Sequence, residues 1–152
     1  MRLLLGMTAG VAVISGIALL CLVPLFLLLG PEHALAGNSL EFNTLWIGIA
    51  MVVCLTAASI GGWIAHRVAG SIGAVLGLIA IVVAFGLADA GYHQLLAPTT
   101  AVARGQLGWF ELLVGLREPL WYDLTLPVLM GIFIWIAGSS RDIEQRPIPR
   151  RG

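Results

Sequence analysis

Three stretches of this chain, 3–29, 45–65 and 70–88, carry no charged residue, and a fourth, 120–138, carries only Asp123. Each is close to or above the ~20 apolar residues that an α-helix needs to cross a hydrocarbon core about 30 Å thick. A run of that length has few other destinations. In 152 residues, 59% of them hydrophobic and 11% charged, a water-soluble core would have to hide more apolar surface than its size permits. Lipid removes the difficulty, and the mean hydropathy of +0.99 agrees with it. Transmembrane β-strands alternate apolar and polar positions, whereas these runs are continuously apolar. The expectation is an all-α integral membrane protein, a bundle of four transmembrane helices at about 3–29, 45–65, 70–90 and 120–138 forming a single domain over 1–140, followed by a cytoplasmic tail at 141–152.

Orientation follows from the arginines, since lysine is absent. With four spans, Arg2, Arg67, Arg141, Arg146, Arg150 and Arg151 fall on one side, and Arg104 and Arg117 on the other. Cytoplasmic loops concentrate positive charge, so both termini are expected in the cytoplasm of a bacterial-type inner membrane. The first outer loop, "GPEHALAGNSLEFNT", holds Glu32 and Glu41 and no basic residue. Its "ALA" at 34–36 resembles a cleavage site, but the preceding apolar stretch is about twice the length of a signal-peptide core, so helix 1 reads as a retained anchor. Cys21 and Cys54 lie within apolar runs and read as small hydrophobes. A formal net charge of zero gives no electrostatic basis for nucleic-acid binding.

Small residues recur at packing intervals: Gly6 and Gly10, then Cys54, Ala58 and Gly62, then Gly73 and Gly77. Such spacing lets backbones approach, which matters where lipid gives helices no hydrophobic reason to associate. The "HRVA" turn at 66–69 makes helices 2 and 3 antiparallel neighbours, and their Gly/Ala faces are expected to meet. Pro24 and Pro127 each remove one helical hydrogen bond at similar depth, either bending ordinary helices or framing an outward-facing cavity. Between helices 3 and 4, "GQLGWFELLVGLRE" (105–118) sets Gly108, Glu111, Gly115 and Glu118 on one stripe among apolar residues. It is too short to span and reads as an amphipathic helix in the outer interface, with Trp121 and Tyr122 beyond it in the aromatic belt.

Chemistry concentrates at the outer boundary. "GLADAGYHQ" places Asp89 and His93 one helical turn apart where helix 3 leaves the membrane, and Asp123 reaches comparable depth on helix 4. With Glu118 or Glu111 folded over them, these residues would form an acidic cluster with one imidazole. It could hold a divalent cation, relay protons, or simply pair with Arg104, Arg117, water and headgroups. Haem b would need two imidazoles at one depth, a condition met by His33 and His93 and not by His66. No phosphate-binding loop and no Ser–His–Asp arrangement is present, and no cofactor is favoured. Ser15, Ser59 and Ser71 are expected to bond to carbonyls one turn back. The leading expectation is an accessory or scaffold subunit, not an enzyme, acting through helix packing with other membrane subunits or with itself. A small oligomeric transporter or channel using the Asp/His cluster is the alternative, and a cofactor-bearing oxidoreductase subunit stands third.

Overall fold

The computed structural model describes residues 1–37, 39–95, 116 and 118–144. Among them run α1 (Arg2–Leu29), the single turn α2 (Pro31–Ala34), α3 (Thr44–Ala69), α4 (Ile72–Leu95) and α5 (Leu120–Glu144). α1, α3, α4 and α5 are each long and apolar enough to cross a membrane. The protein is therefore a multi-pass membrane protein of helical-bundle type. The amphipathic segment expected at 105–118 lies outside the described residues, apart from Leu116 and Glu118.

Helix boundaries follow local chemistry. α3 begins at Asn43, whose Oδ1 accepts from the Trp46 N–H at 2.8 Å and so satisfies one of the orphan donors of the first turn. The helix does not stop at residue 65. It carries His66 and Arg67 in its last turn, with the Arg67 guanidinium 5.1 Å from the Trp63 ring centre. It ends at Gly70, which adopts a left-handed conformation (φ 63°) and donates its N–H to the His66 carbonyl at 2.7 Å. The "HRVA" segment is thus helix, and the reversal falls at Gly70 and Ser71. α5 likewise continues to Glu144, so the first residues of the expected tail are helical.

The four long helices form a ring in the order α1, α3, α5, α4, in which α3 and α5 run parallel and so do α1 and α4. α3 is flanked on its two sides by α1 and α5, and α1 and α5 share almost no contact. Helices 2 and 3 of the sequence are joined by the Gly70 turn, but their small faces do not principally meet each other. A methyl group on Gly6 of α1 would come within 2.6 Å of the Ala65 carbonyl oxygen of α3. One on Gly62 would come within 2.5 Å of the Ile134 carbonyl oxygen of α5. The glycines of α3 therefore admit α1 and α5, and Gly73 and Gly77 of α4 face Leu3 and Met7 of α1. Ile14, Ala57, Ala58, Ala65, Val75, Leu78, Met130 and Ile134 fill the space between.

The opposite end of the bundle is built differently. Leu35 and Phe42 form an antiparallel bridge, and Ala36 donates its N–H to the Glu41 carbonyl at 2.8 Å, so the segment after α2 doubles back. Asn43 Nδ2 donates to the His33 carbonyl and ties this hairpin to the start of α3. Ala34 and Leu35 are buried beneath it. Phe26 meets Trp46 edge-on at 5.5 Å between ring centres and Phe42 at 6.3 Å, and Phe42 stacks on Trp46 at 5.8 Å. Leu116 packs onto this aromatic group, which brings the end of the third connection against the bundle.

Candidate functional site

At the aromatic end, a hollow of about 370 Å³ lies where α1 and α5 fail to meet. Leu22, Val23, Phe26 and Leu27 of α1 form one wall, and Trp46, Ala50 and Cys54 of α3 form the floor. Phe42, Leu116, Glu118 and Tyr122 complete it. The floor follows directly from helical geometry, because residues four apart share a face. Tyr122 is the hinge of the arrangement. It is 2% exposed and packs with Ile47 and Ala50, so it belongs to the interior and not to the aromatic belt expected of it. Trp121, next to it, does point outward, at 53% exposure.

The prolines divide between two faces. Pro24 lies among the α1 residues that wall the hollow, whereas Pro127 presses on Gly86 of α4, on the other side of α5. Both helices run on through their prolines.

The acids expected to gather do so in part. Glu118 hydrogen-bonds Asp123 through the side chains and lies within electrostatic range of Asp89. Glu118 is exposed and lies among the residues that line the hollow. Its pKa is pushed up to about 8, first by burial of the charged form, then by the hydrogen bond to Asp123 and the charges of Asp123 and Asp89. Near neutral pH the Glu118–Asp123 pair therefore holds a proton. Asp89 is exposed on α4 and Asp123 half-buried on α5. His93 lies on α4, with its side chain outside the described residues, and Glu111 lies outside them altogether.

His33 sits in α2 and not in a loop; its ring is 70% exposed, with Nδ1 2.8 Å from the Leu29 carbonyl and 3.8 Å from Glu32. That carbonyl orients the imidazole along the end of α1. Among the described residues no group of three His, Cys, Asp or Glu is spaced to hold a metal ion. Ser59 bonds back to the Leu55 carbonyl at 2.9 Å as expected, while the Ser71 hydroxyl instead accepts from the Gly73 N–H at 3.1 Å and opens α4. No family model, curated protein or solved structure matches the chain.

Chemically, the site offers an apolar recess with the Glu118 carboxyl, a phenol and a thiol on its walls. Sequence reasoning placed Asp89, Asp123 and Glu118 together but did not see Trp46, Cys54 or Tyr122 as partners in the same space. The only available signal was the four-residue spacing of Trp46, Ala50 and Cys54, which also describes any buried helix face.

Proposed function

We propose that the protein is a small subunit of a bacterial-type inner membrane, with both termini cytoplasmic, that acts by binding other components within the plane of the bilayer. The observation that carries this reading is the contact of helix backbones through Gly6 and Gly62. Where backbones touch, α1 and α5 seal against α3, and the surfaces left for partners are the lateral ones. The arginine distribution supports the orientation, placing the hollow and the acid pair in the outer half. The amphipathic stretch at 105–118 would add an interfacial surface beside them.

Mild detergent extraction from the membranes in which the chain is naturally made tests the reading. A complex of fixed stoichiometry containing other chains is expected, and a stable lone monomer overturns it.

The joined acids favour a second reading, a transporter in which Glu118, Asp123 and Asp89 couple movement of a substrate to a proton. Asp89→Asn and Asp123→Asn should then each abolish proton-coupled flux in proteoliposomes, and unchanged flux removes this reading.

A further inference from the structure

The hollow has a direction as well as a volume. Its floor follows α3 from Trp46 to Cys54, eight residues and about 12 Å along the helix axis. Cys54 lies ten residues and about 15 Å into α3, half the thickness of a hydrocarbon core. The wall on α1 runs beside that floor through Leu22, Val23 and Leu27. The hollow is therefore a slot parallel to the bundle axis, reaching from the Asn43 end toward the middle of the membrane. Lipid chains in the leaflet on that side run in the same direction over the same depth. The slot is also a feature of the surface. Val23 is 49% exposed and Leu27 64%, so side chains that wall the slot belong at the same time to the lipid-facing surface of α1.

The lining decides what fills such a slot. Left void, the side chains around it forfeit the dispersion contacts that a packed interior supplies. Water is a poor guest, because Leu22, Val23, Leu27 and Phe42 offer it no side-chain hydrogen bond, and apolar cavities stay dry and take apolar guests. The polar groups do not alter this. Glu118 precedes the first residue of α5 and so belongs to the Asn43 end, where head groups lie. A free thiol such as Cys54 packs as a small hydrophobe. Tyr122, at 2% exposure, presents almost no surface to a guest. The volume of about 370 Å³ falls within the ~300–1,000 Å³ usual for small-molecule sites. We propose that this slot holds one acyl chain of a bilayer phospholipid, set lengthwise against α1, α3 and the start of α5 with its head group at the Asn43 end. The site selects by the chain and leaves the head group to the interface.

Plugging the slot from its exposed wall tests this without disturbing the core. Val23→Phe and Leu27→Phe each enlarge a side chain that walls the slot from a lipid-facing position. Leu28→Phe, at a position 84% exposed and outside the slot, is the control. Extracted in a mild maltoside from phosphatidylcholine liposomes, the natural chain and Leu28→Phe should each keep one phosphatidylcholine per chain in native mass spectrometry. Val23→Phe or Leu27→Phe should lower the bound fraction at least about tenfold, the factor that an overpacking clash of ordinary size imposes. Equal retention in all of them overturns the proposal. So does a natural chain that emerges without lipid, whether bare or joined to a second copy or to another chain. Trp46 supplies an independent reading, because at 6% exposure it meets a lipid chain only from inside the slot. In a variant that keeps Trp46 and replaces Trp63, Trp109, Trp121 and Trp135 by Phe, phosphatidylcholine brominated at mid-chain should quench the remaining fluorescence. Adding Val23→Phe should relieve the quenching and adding Leu28→Phe should not. Fluorescence that the brominated lipid leaves unchanged, or quenching equal in the two variants, likewise overturns the proposal.

Discussion

The two ends of the bundle solve the same packing problem in opposite ways. Near Gly70, glycines and alanines bring backbones into contact, and side chains as small as Ala65 are completely buried. Near Asn43, Phe26, Phe42, Trp46 and Tyr122 hold the helices at the distance set by their rings and leave a hollow. Lipid is as apolar as the side chains themselves, so in neither half does burial from water drive association. What remains is fit, and fit has a different tolerance in each half. The glycine end should reject added atoms, and the aromatic end should suffer from lost ones.

The sharpest way to break this contrast is Gly62→Leu. Even a methyl there would sit 2.5 Å from a backbone carbonyl oxygen and 2.8 Å from a Cα, neither of which can rotate away. α3 and α5 would have to separate along the contact. The expected loss is about 3 kcal/mol or more, at the upper end for overpacking, seen as failure to recover a monodisperse bundle. A variant as stable as the natural protein would mean that the two helices are not in backbone contact.

At the aromatic end the informative change is a truncation. Tyr122→Ala removes a 2%-exposed ring from between α3 and the hollow. In water the transfer and cavity terms for such a change total about 3–5 kcal/mol; in lipid the transfer part largely disappears, leaving about 2 kcal/mol of lost contact. Reversible unfolding in mixed micelles measures it. The same substitution enlarges the hollow, so quenching of Trp46 by brominated lipid should rise as stability falls. A loss of stability with unchanged quenching would separate the ring from the hollow.

How far the sequence reaches is visible in these same residues. The four spans were legible because uncharged runs of that length have one solvent to live in. The ends of α3 were not, because His66 and Arg67 look like loop residues, whereas long or ring-bearing side chains at a helix end reach polar surroundings without leaving the helix. Depth counting along helices 3 and 4 brought Asp89 and Asp123 to one level, since rise per residue is fixed, with Glu118 or Glu111 expected to fold over them. The hollow escaped it, because depth says nothing about which helices stand side by side. Chain order suggests that α3 and α4 pack face to face through their small residues. The ring instead places α1 and α5 against α3, and only that order puts Val23, Cys54 and Tyr122 around one space.

The acid pair gives the aromatic half a pH dependence. Glu118 has a folded-state pKa of about 8, above its ordinary value near 4.5, so the folded protein binds a proton more tightly than the unfolded chain does. The stabilisation is complete below the unfolded value and is lost as pH rises through the folded one. Stability followed from about pH 5 to about pH 9 should therefore decline, with most of the loss complete just above the folded pKa. Glu118→Gln, neutral throughout, should flatten the curve. The effect should be modest, since Glu118 keeps accessible surface, and a slope that survives in the Gln variant would assign the titration to another group.

The smallest expected effect is the control for the glycine argument. Gly48 lies on α3 as Gly62 does, fourteen residues and about four turns earlier, yet a methyl placed on it meets nothing within 4 Å. It opens on a shallow groove with Thr44, Leu45, Ile49, Val52 and Val53. If glycine matters in this chain only where backbones touch, Gly48→Ala should change stability by no more than about 0.5–1 kcal/mol, and toward greater stability, because alanine is the better helix former. The same unfolding measurement reads it. A destabilisation comparable to that of Gly62→Leu would show that the Gly48 face is occupied by another helix in the assembled membrane. That outcome would move the contrast from one between two ends of a bundle to one between its inner contacts and its outer ones.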